Sequence, residues 1–231
     1  MSVIVVSNRV TRAKSDEPIA GGLASALIPM VKESGAIWVG SSGHAGDSTQ
    51  TRDSFAKIEA LGSGALATVD IPGKHYRGYY EGFSNSALWP ALHSRPDLIQ
   101  VTGDEYISYR EVNAFMARAL LRFCGPEAVF WVQDYHFLTL GAELRRLKIE
   151  RPIGFFLHTP WAERRTMAAV PRHSDLVEAM LAYDLIGFQT DEDRHNFEDD
   201  LQSELGLPVA DGTVTSQRGL TRLAKIGRAH V

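Results

Sequence analysis

Three consecutive stretches decide the fold: AVFWVQDYH (128–136), LTLGAELRRLK (138–148) and PIGFFLHTP (152–160). The first and third are short apolar runs that end in polar residues. Between them, Leu140, Leu144 and Leu147 share one face at helical spacing. Strand, helix and strand within about thirty residues make a βαβ unit, which implies a parallel sheet.

The alternation continues in both directions. Residues 3–6 are β-branched throughout and short, as a fully buried strand should be. Gly21-Gly22 opens a helix to about Glu33, and residues 36–40 form a second strand. Two further short strands are expected around Ile58 and Leu66. Over residues 109–123, Val112, Phe115, Met116, Ala119, Leu120 and Phe123 form one apolar stripe, closed by Gly125-Pro126. Ser174 is expected to cap a helix through Leu181. A strand over 185–188 precedes a capping box in which Asp193 partners Thr190. The helix after it carries Phe197, Leu201 and Leu205 and stops at Gly206. The expected class is therefore α/β: a Rossmann-like, doubly wound, mostly parallel sheet over residues 1–224. Residues 225–231 complete no element. They are expected to be a non-native tail, because 226–231 match a hexapeptide that a common sequencing adapter encodes in one frame.

Composition narrows the partners. The 231 residues are 44% hydrophobic and 23% charged, as in an ordinary globular protein. A net charge of -4 gives no electrostatic reason to expect nucleic acid. No apolar stretch approaches the roughly 18 residues of a membrane span. The apolar run at the N-terminus lacks a basic leader and breaks at Ser7, so it is a strand and not a signal peptide. The single cysteine, Cys124, precludes an internal disulfide and fits a reducing cytoplasm. It ends a helix on the apolar side and is expected to be inert core.

Four polar clusters follow strand-like runs: Ser7-Asn8-Arg9, Gln133-Asp134-Tyr135-His136, His158-Thr159-Pro160 and Gln189-Thr190-Asp191. Open parallel sheets bind ligands at the carboxyl ends of their strands. Arg, Asp, His and Gln there suit a polyhydroxylated, anionic ligand. Each residue also has a plainer reading. Arg9 could grip a phosphate bidentately or be an ordinary surface arginine. Gly21-Gly22 could offer bare N–H groups to an anion or be a simple helix entry. The aromatic stretch from Tyr79-Tyr80 through Phe83 to Trp89-Pro90 could line a sugar site or pack into the core. Asp134 could accept from sugar hydroxyls or cap the next helix. His158 could serve the site or be structural. Arg164, Arg165 and Arg172 could face an anionic substrate or solvent. No metal-binding spacing, nucleophile elbow, dinucleotide fingerprint or P-loop is present, so neither a metal nor a cofactor is expected.

Together these segments resemble the trehalose-6-phosphate synthase family. The resemblance rests on Val5-Val6-Ser7-Asn8-Arg9, Gly21-Gly22-Leu23, Trp38-Val39-Gly40 and Tyr79-Tyr80 through Phe83-Ser84-Asn85 to Leu88-Trp89-Pro90. It continues through Asp134-Tyr135-His136, residues 154–158 and Gly187-Phe188-Gln189-Thr190 within 184–197. In order, it covers about residues 3–200. It implies the N-terminal Rossmann-like domain of a GT-B glycosyltransferase. It further implies retaining, metal-independent transfer of glucose from UDP-glucose to glucose-6-phosphate. Arg9, Tyr80, Trp89 and Asp134 would line the acceptor site, with Arg9 on the phosphate and Asp134 on the hydroxyls. Gly21 and Gly22 would approach the donor diphosphate. Asp134 and His158 would be the catalytic pair, His158 near the reacting carbon. A sugar phosphate and a nucleotide sugar are the implied partners, and a homo-oligomer is compatible with them.

The chain departs from the pattern in three ways. Gln133 stands where His is usual before Asp-Tyr-His. Pro160-Trp161-Ala162 replaces Pro-Phe-Pro. The second Rossmann-like domain, expected to stabilise the leaving diphosphate, is absent from these residues. A glucosylglycerol-phosphate synthase and a non-catalytic sugar-phosphate-binding domain are therefore competing readings. A NAD-dependent oxidoreductase is disfavoured by the missing fingerprint.

Overall fold

The computed structural model describes residues 1–10, 22–46, 55–101 and 103–227. Their strands are β1 (Ser2–Arg9), β2 (Ile37–Gly46), β3 (Phe55–Leu61), β4 (Gly64–Pro72) and β5 (Ala128–Gln133). They continue with β6 (Ile153–Phe156), β7 (Leu185–Phe188), β8 (Val209–Ala210), β9 (Thr213–Ser216) and β10 (Gly219–Lys225). All ten join one sheet in the order β3-β4-β2-β1-β5-β6-β7-β10-β9-β8. The pairs from β4 through β10 are parallel, while β3, β9 and β8 pair antiparallel at the two edges.

Alternation along β1 buries both faces. Ile4 and Val6 join the larger core, and Val5 joins a smaller one. That smaller core lies under α1 (Gly22–Ser34), which contributes Ala24, Leu27, Ile28 and Val31 beside Trp38 and Leu66. The larger core packs α4 (Glu105–Leu120) against the sheet. Val112, Phe115, Met116, Ala119 and Leu120 are buried, as the stripe requires. Phe123 is half-buried in a 3-10 turn beyond α4, and Cys124 is half-buried too, so it borders the core without belonging to it. No described helix is long and apolar enough to cross a membrane.

Several expectations change. The Ser7-Asn8-Arg9 cluster belongs to β1 itself, since pairing continues to Arg9 opposite Ser41. Residues 73–92 are helical: α2 (Gly73–Arg77), an eleven-residue π-helix (Gly78–Leu88) and α3 (Trp89–Leu92). The π-turn spacing buries Tyr79, Phe83, Ser84, Ala87 and Leu88, whereas Trp89 stays 45% exposed. The stretch is thus core on one side and open on the other. After α5 (Leu140–Arg146) and α6 (Arg164–Met167), α7 (His173–Met180) begins one residue before Ser174. Ser174 does not cap it, because its hydroxyl donates to Glu204 instead. The box at α8 (Asp191–Leu205) forms as expected, and Gly206 closes the helix at φ 67°. The β8–β9 hairpin was missed despite its signal: Asp211 and Gly212 both take positive φ, as a two-residue turn demands. In the tail segment, Lys225 ends β10 and pairs with Asp191, and the Ile226 amide donates to Phe188. Residues 228–231 lie outside the described residues.

Two side chains of α4 suspend the turn that follows β5. The Tyr109 hydroxyl donates to the Tyr135 carbonyl (2.8 Å) and accepts from the Leu138 amide (2.9 Å). Asn113 Nδ2 donates to the carbonyls of Tyr109 and His136. All of this is buried. Tyr109→Phe leaves both backbone groups unpaired and should cost about 1–3 kcal/mol. A lowered urea midpoint at constant m-value is the expected result; an unchanged midpoint would contradict it.

Candidate active site

The strands that precede the four polar clusters are immediate neighbours in the sheet: β1, β5, β6 and β7. Their carboxyl ends therefore form one continuous rim.

Asp134 is the junction of this rim. Its amide donates to Phe156 (2.8 Å), prolonging the β5–β6 ladder by one residue. Its carboxylate Oδ1 accepts from the amides of Tyr135 (3.0 Å) and His158 (3.3 Å). Asp134 thus caps the turn that follows β5, as one of its two sequence readings expected. Its backbone sits at φ 72°, ψ 168°, a region that costs a non-glycine residue on the order of 1–3 kcal/mol. Burial raises its carboxyl to about 6, against the lowering effect of the two amides.

His158 is held on both sides. Its Nε2 bonds Gln133 Oε1 at 2.8 Å, and Gln189 Nε2 donates to its carbonyl. Burial lowers the ring to about 4, so it is neutral near pH 7. It borders a cleft of about 690 Å³ with His93, Pro160, Trp161, Gln189 and Asp193. Trp161 itself is buried. Its indole donates to Asp200 (2.7 Å) and its amide to Asp193 (3.0 Å), so this departure from the expected pattern packs against α8.

Aromatic rings cluster on the turn that follows β5. Tyr80 lies parallel to His136, with ring centres 5.9 Å apart and planes at 14°. Tyr76 stacks on Tyr80 at 5.7 Å. Burial and Tyr80 raise the Tyr76 hydroxyl, and Arg9 opposes them. Trp89 lies 5.6 Å from the Tyr135 ring. Arg9, Asp134 and His158 thus stand at or just beyond the carboxyl ends of the neighbouring strands β1, β5 and β6, and Tyr80 and Trp89 pack on the rings of His136 and Tyr135. Gly22 is the first residue of α1, where backbone N–H groups have no helical partner; Gly21 lies outside the described residues. Arg164 pairs with Glu204 and Arg172 with Asp175, so acidic neighbours already hold these arginines. Among the described residues, no group of three or more His, Cys, Asp or Glu could hold a metal ion.

Sequence reasoning missed Tyr76, although its spacing from Tyr79 and Tyr80 places all three on adjoining helical faces. It gave Gly40 only as part of a motif and did not single out Gly43. A Cβ on Gly43 (φ +85°) would come within 2.8 Å of the Arg9 guanidinium, and one on Gly40 within 2.5 Å of the Ser7 carbonyl. Such close approaches are visible only once strands are paired.

Comparison with known proteins bears on the family and the fold. The sequence profile of Glycosyltransferase family 20 matches residues 3–224. A trehalose-6-phosphate synthase from Enterobacter sp. (strain 638) is 34% identical over 210 residues, covering 91% of this chain and 44% of that protein. The alpha,alpha-trehalose-phosphate synthase (UDP-forming) from Burkholderia xenovorans was solved in complex with glucose-6-phosphate. It superposes with a TM-score of 0.90 at 37% identity, covering 98% of this chain and 50% of that one. An E. coli structure described as trehalose-6-phosphate bound with UDP-2-fluoro glucose gives 0.86 at 34%, covering 97% and 48%. The chain spans about half the length of these relatives, as one Rossmann-like unit of a GT-B enzyme would. By profile, sequence and fold together, it belongs to glycosyltransferase family 20.

Proposed function

We propose that the rim binds glucose-6-phosphate as acceptor in a retaining, metal-independent transfer of glucose from UDP-glucose, giving trehalose-6-phosphate. The supporting observation is that Arg9, Asp134 and His158 stand at the carboxyl ends of adjacent parallel strands, with Tyr80 and Trp89 packed on the turn after β5. Arg9 takes the phosphate. Asp134, ionised, accepts from two sugar hydroxyls, and its oxygen not engaged by the backbone amides faces the ligand. Trp89 and Tyr80 cover the apolar face of the ring. His158 stands beside the reacting carbon, and Gly22, with Gly21, approaches the donor diphosphate. The cytoplasm, where both substrates occur, is the proposed compartment.

Catalysis itself needs more than this rim. The leaving diphosphate carries the developing charge, and stabilising it is the largest single contribution expected. By resemblance, the cations that do so come from a second Rossmann-like domain. Purified residues 1–224 should therefore release at most traces of UDP from UDP-glucose; measurable turnover would contradict this division of labour.

The acceptor site is testable without turnover. A charge-assisted hydrogen bond contributes about 1.5–3 kcal/mol. Arg9→Ala should therefore weaken glucose-6-phosphate binding at least about tenfold by calorimetry, and parental affinity would remove Arg9 from the site.

Asp134 adds a pH signature. Its carboxyl ionises near 6 in the fold and near 3.9 in an unfolded chain. Between these values the folded chain holds more protons, so stability falls as pH rises from about 4 to about 6. The loss is on the order of 2–3 kcal/mol. Asn keeps an acceptor for the two amides and cannot ionise. Asp134→Asn should therefore be more stable than the parent at about pH 7.5, level with it near pH 4, and deficient in acceptor binding at the higher pH. The same stability difference at both pH values would contradict the raised carboxyl.

A further inference from the structure

The side chain of Gln133 is fully buried at the end of β5, on the rim but facing away from solvent. It makes two bonds. Its Nε2 donates to the Trp131 carbonyl (3.4 Å), and its Oε1 lies 2.8 Å from His158 Nε2. These contacts orient the amide. The opposite flip would set Oε1 against the Trp131 carbonyl, two acceptors with no proton between them. Oε1 therefore faces the imidazole, and an oxygen at hydrogen-bond distance requires a proton on Nε2. In a neutral ring the other nitrogen, Nδ1, is then left as an acceptor.

We propose that Gln133 is a positioning residue: by accepting from Nε2–H it fixes the tautomer and plane of His158 and presents Nδ1 as a hydrogen-bond acceptor for a sugar hydroxyl. Gln189 completes the clamp from β7 by donating to the His158 carbonyl. The edge of the His158 ring meets Phe156, with centres 4.7 Å apart and planes at 83°. A cation would not serve this role, because an imidazolium has two donors and no acceptor. Gln133 does not titrate, so it accepts equally at every pH. The titratable groups around the ring are Asp134, whose Oδ1 takes the His158 amide, and His93, Glu163, Glu192 and Asp193 along the shared cleft. The inference rests on His158 being part of the acceptor and donor site, and it concerns only how that ring is held.

The test is ring ¹⁵N NMR of the full chain, with His158→Ala identifying the signal among the eight histidines. The parent should show a neutral ring with Nε2 protonated and Nδ1 bare. Gln133→Glu keeps the acceptor and adds a negative charge. It should hold the same tautomer and raise the titration midpoint from about 4 by at least about one pH unit. Gln133→Leu removes the acceptor, and the Nε2 proton should then exchange with water at least about tenfold faster. Should that variant fail to fold, the parent and the Glu variant decide alone. A parent ring protonated on Nδ1, or a midpoint unmoved in Gln133→Glu, would overturn the proposal. Titration with glucose-6-phosphate on the same sample is a separate readout. If His158 signals do not respond while tautomer and midpoint behave as stated, the acceptor reading fails and the role of Gln133 in holding the ring stands.

Discussion

Everything at the rim depends on the hydrogen bonds that Asp134 makes between β5 and β6. Parallel strands end side by side, but nothing in a ladder obliges their last residues to point the same way. Asp134 supplies that obligation. Its amide extends the ladder to Phe156, while its carboxylate gathers the amides of Tyr135 and His158. The chain holds it in a backbone conformation most residues avoid. Residues kept in such conformations concentrate at functional sites, because the surrounding structure has to over-determine them.

The surroundings do so here. Tyr109 and Asn113 reach up from α4 to hold the turn after Asp134 from below. Gln133 and Gln189 hold His158 from either side. The Tyr79 hydroxyl donates to Asn8 at the end of β1, tying the π-helix to the same rim. Burial then sets the charges. It leaves His158 and His136 neutral and moves Asp134 towards neutrality. A carboxylate so poorly solvated gains more from a hydrogen-bond donor than one already satisfied by water.

The doubly wound sheet was legible because burial on both faces leaves a plain mark: short β-branched or aromatic runs between helical stripes. The clusters at residues 133–136, 158–160 and 189–191 were legible for the same reason, since a polar residue straight after such a run has reached a strand end, whereas residues 7–9 continue β1 to its last residue. Their adjacency was not legible, because the order β1-β5-β6-β7 is a property of pairing and not of local pattern. The packing demand at Gly40 and Gly43 was hidden likewise, as each meets a strand distant in sequence. The stretch 79–90 admitted both a site and a core reading because its helix buries Tyr79, Phe83 and Leu88 on one side and leaves Trp89 open on the other. The Asp211-Gly212 turn carried its full signal and went unread.

The central claim is that Arg9 and Asp134 serve one ligand. The most direct measurement is a crystal structure of this chain grown with glucose-6-phosphate. The account predicts the phosphate on the Arg9 guanidinium and two sugar hydroxyls within hydrogen-bond distance of the Asp134 carboxylate, with Trp89 against the ring. A sugar phosphate bound away from Asp134, or a rim that stays empty at saturating ligand, would contradict it.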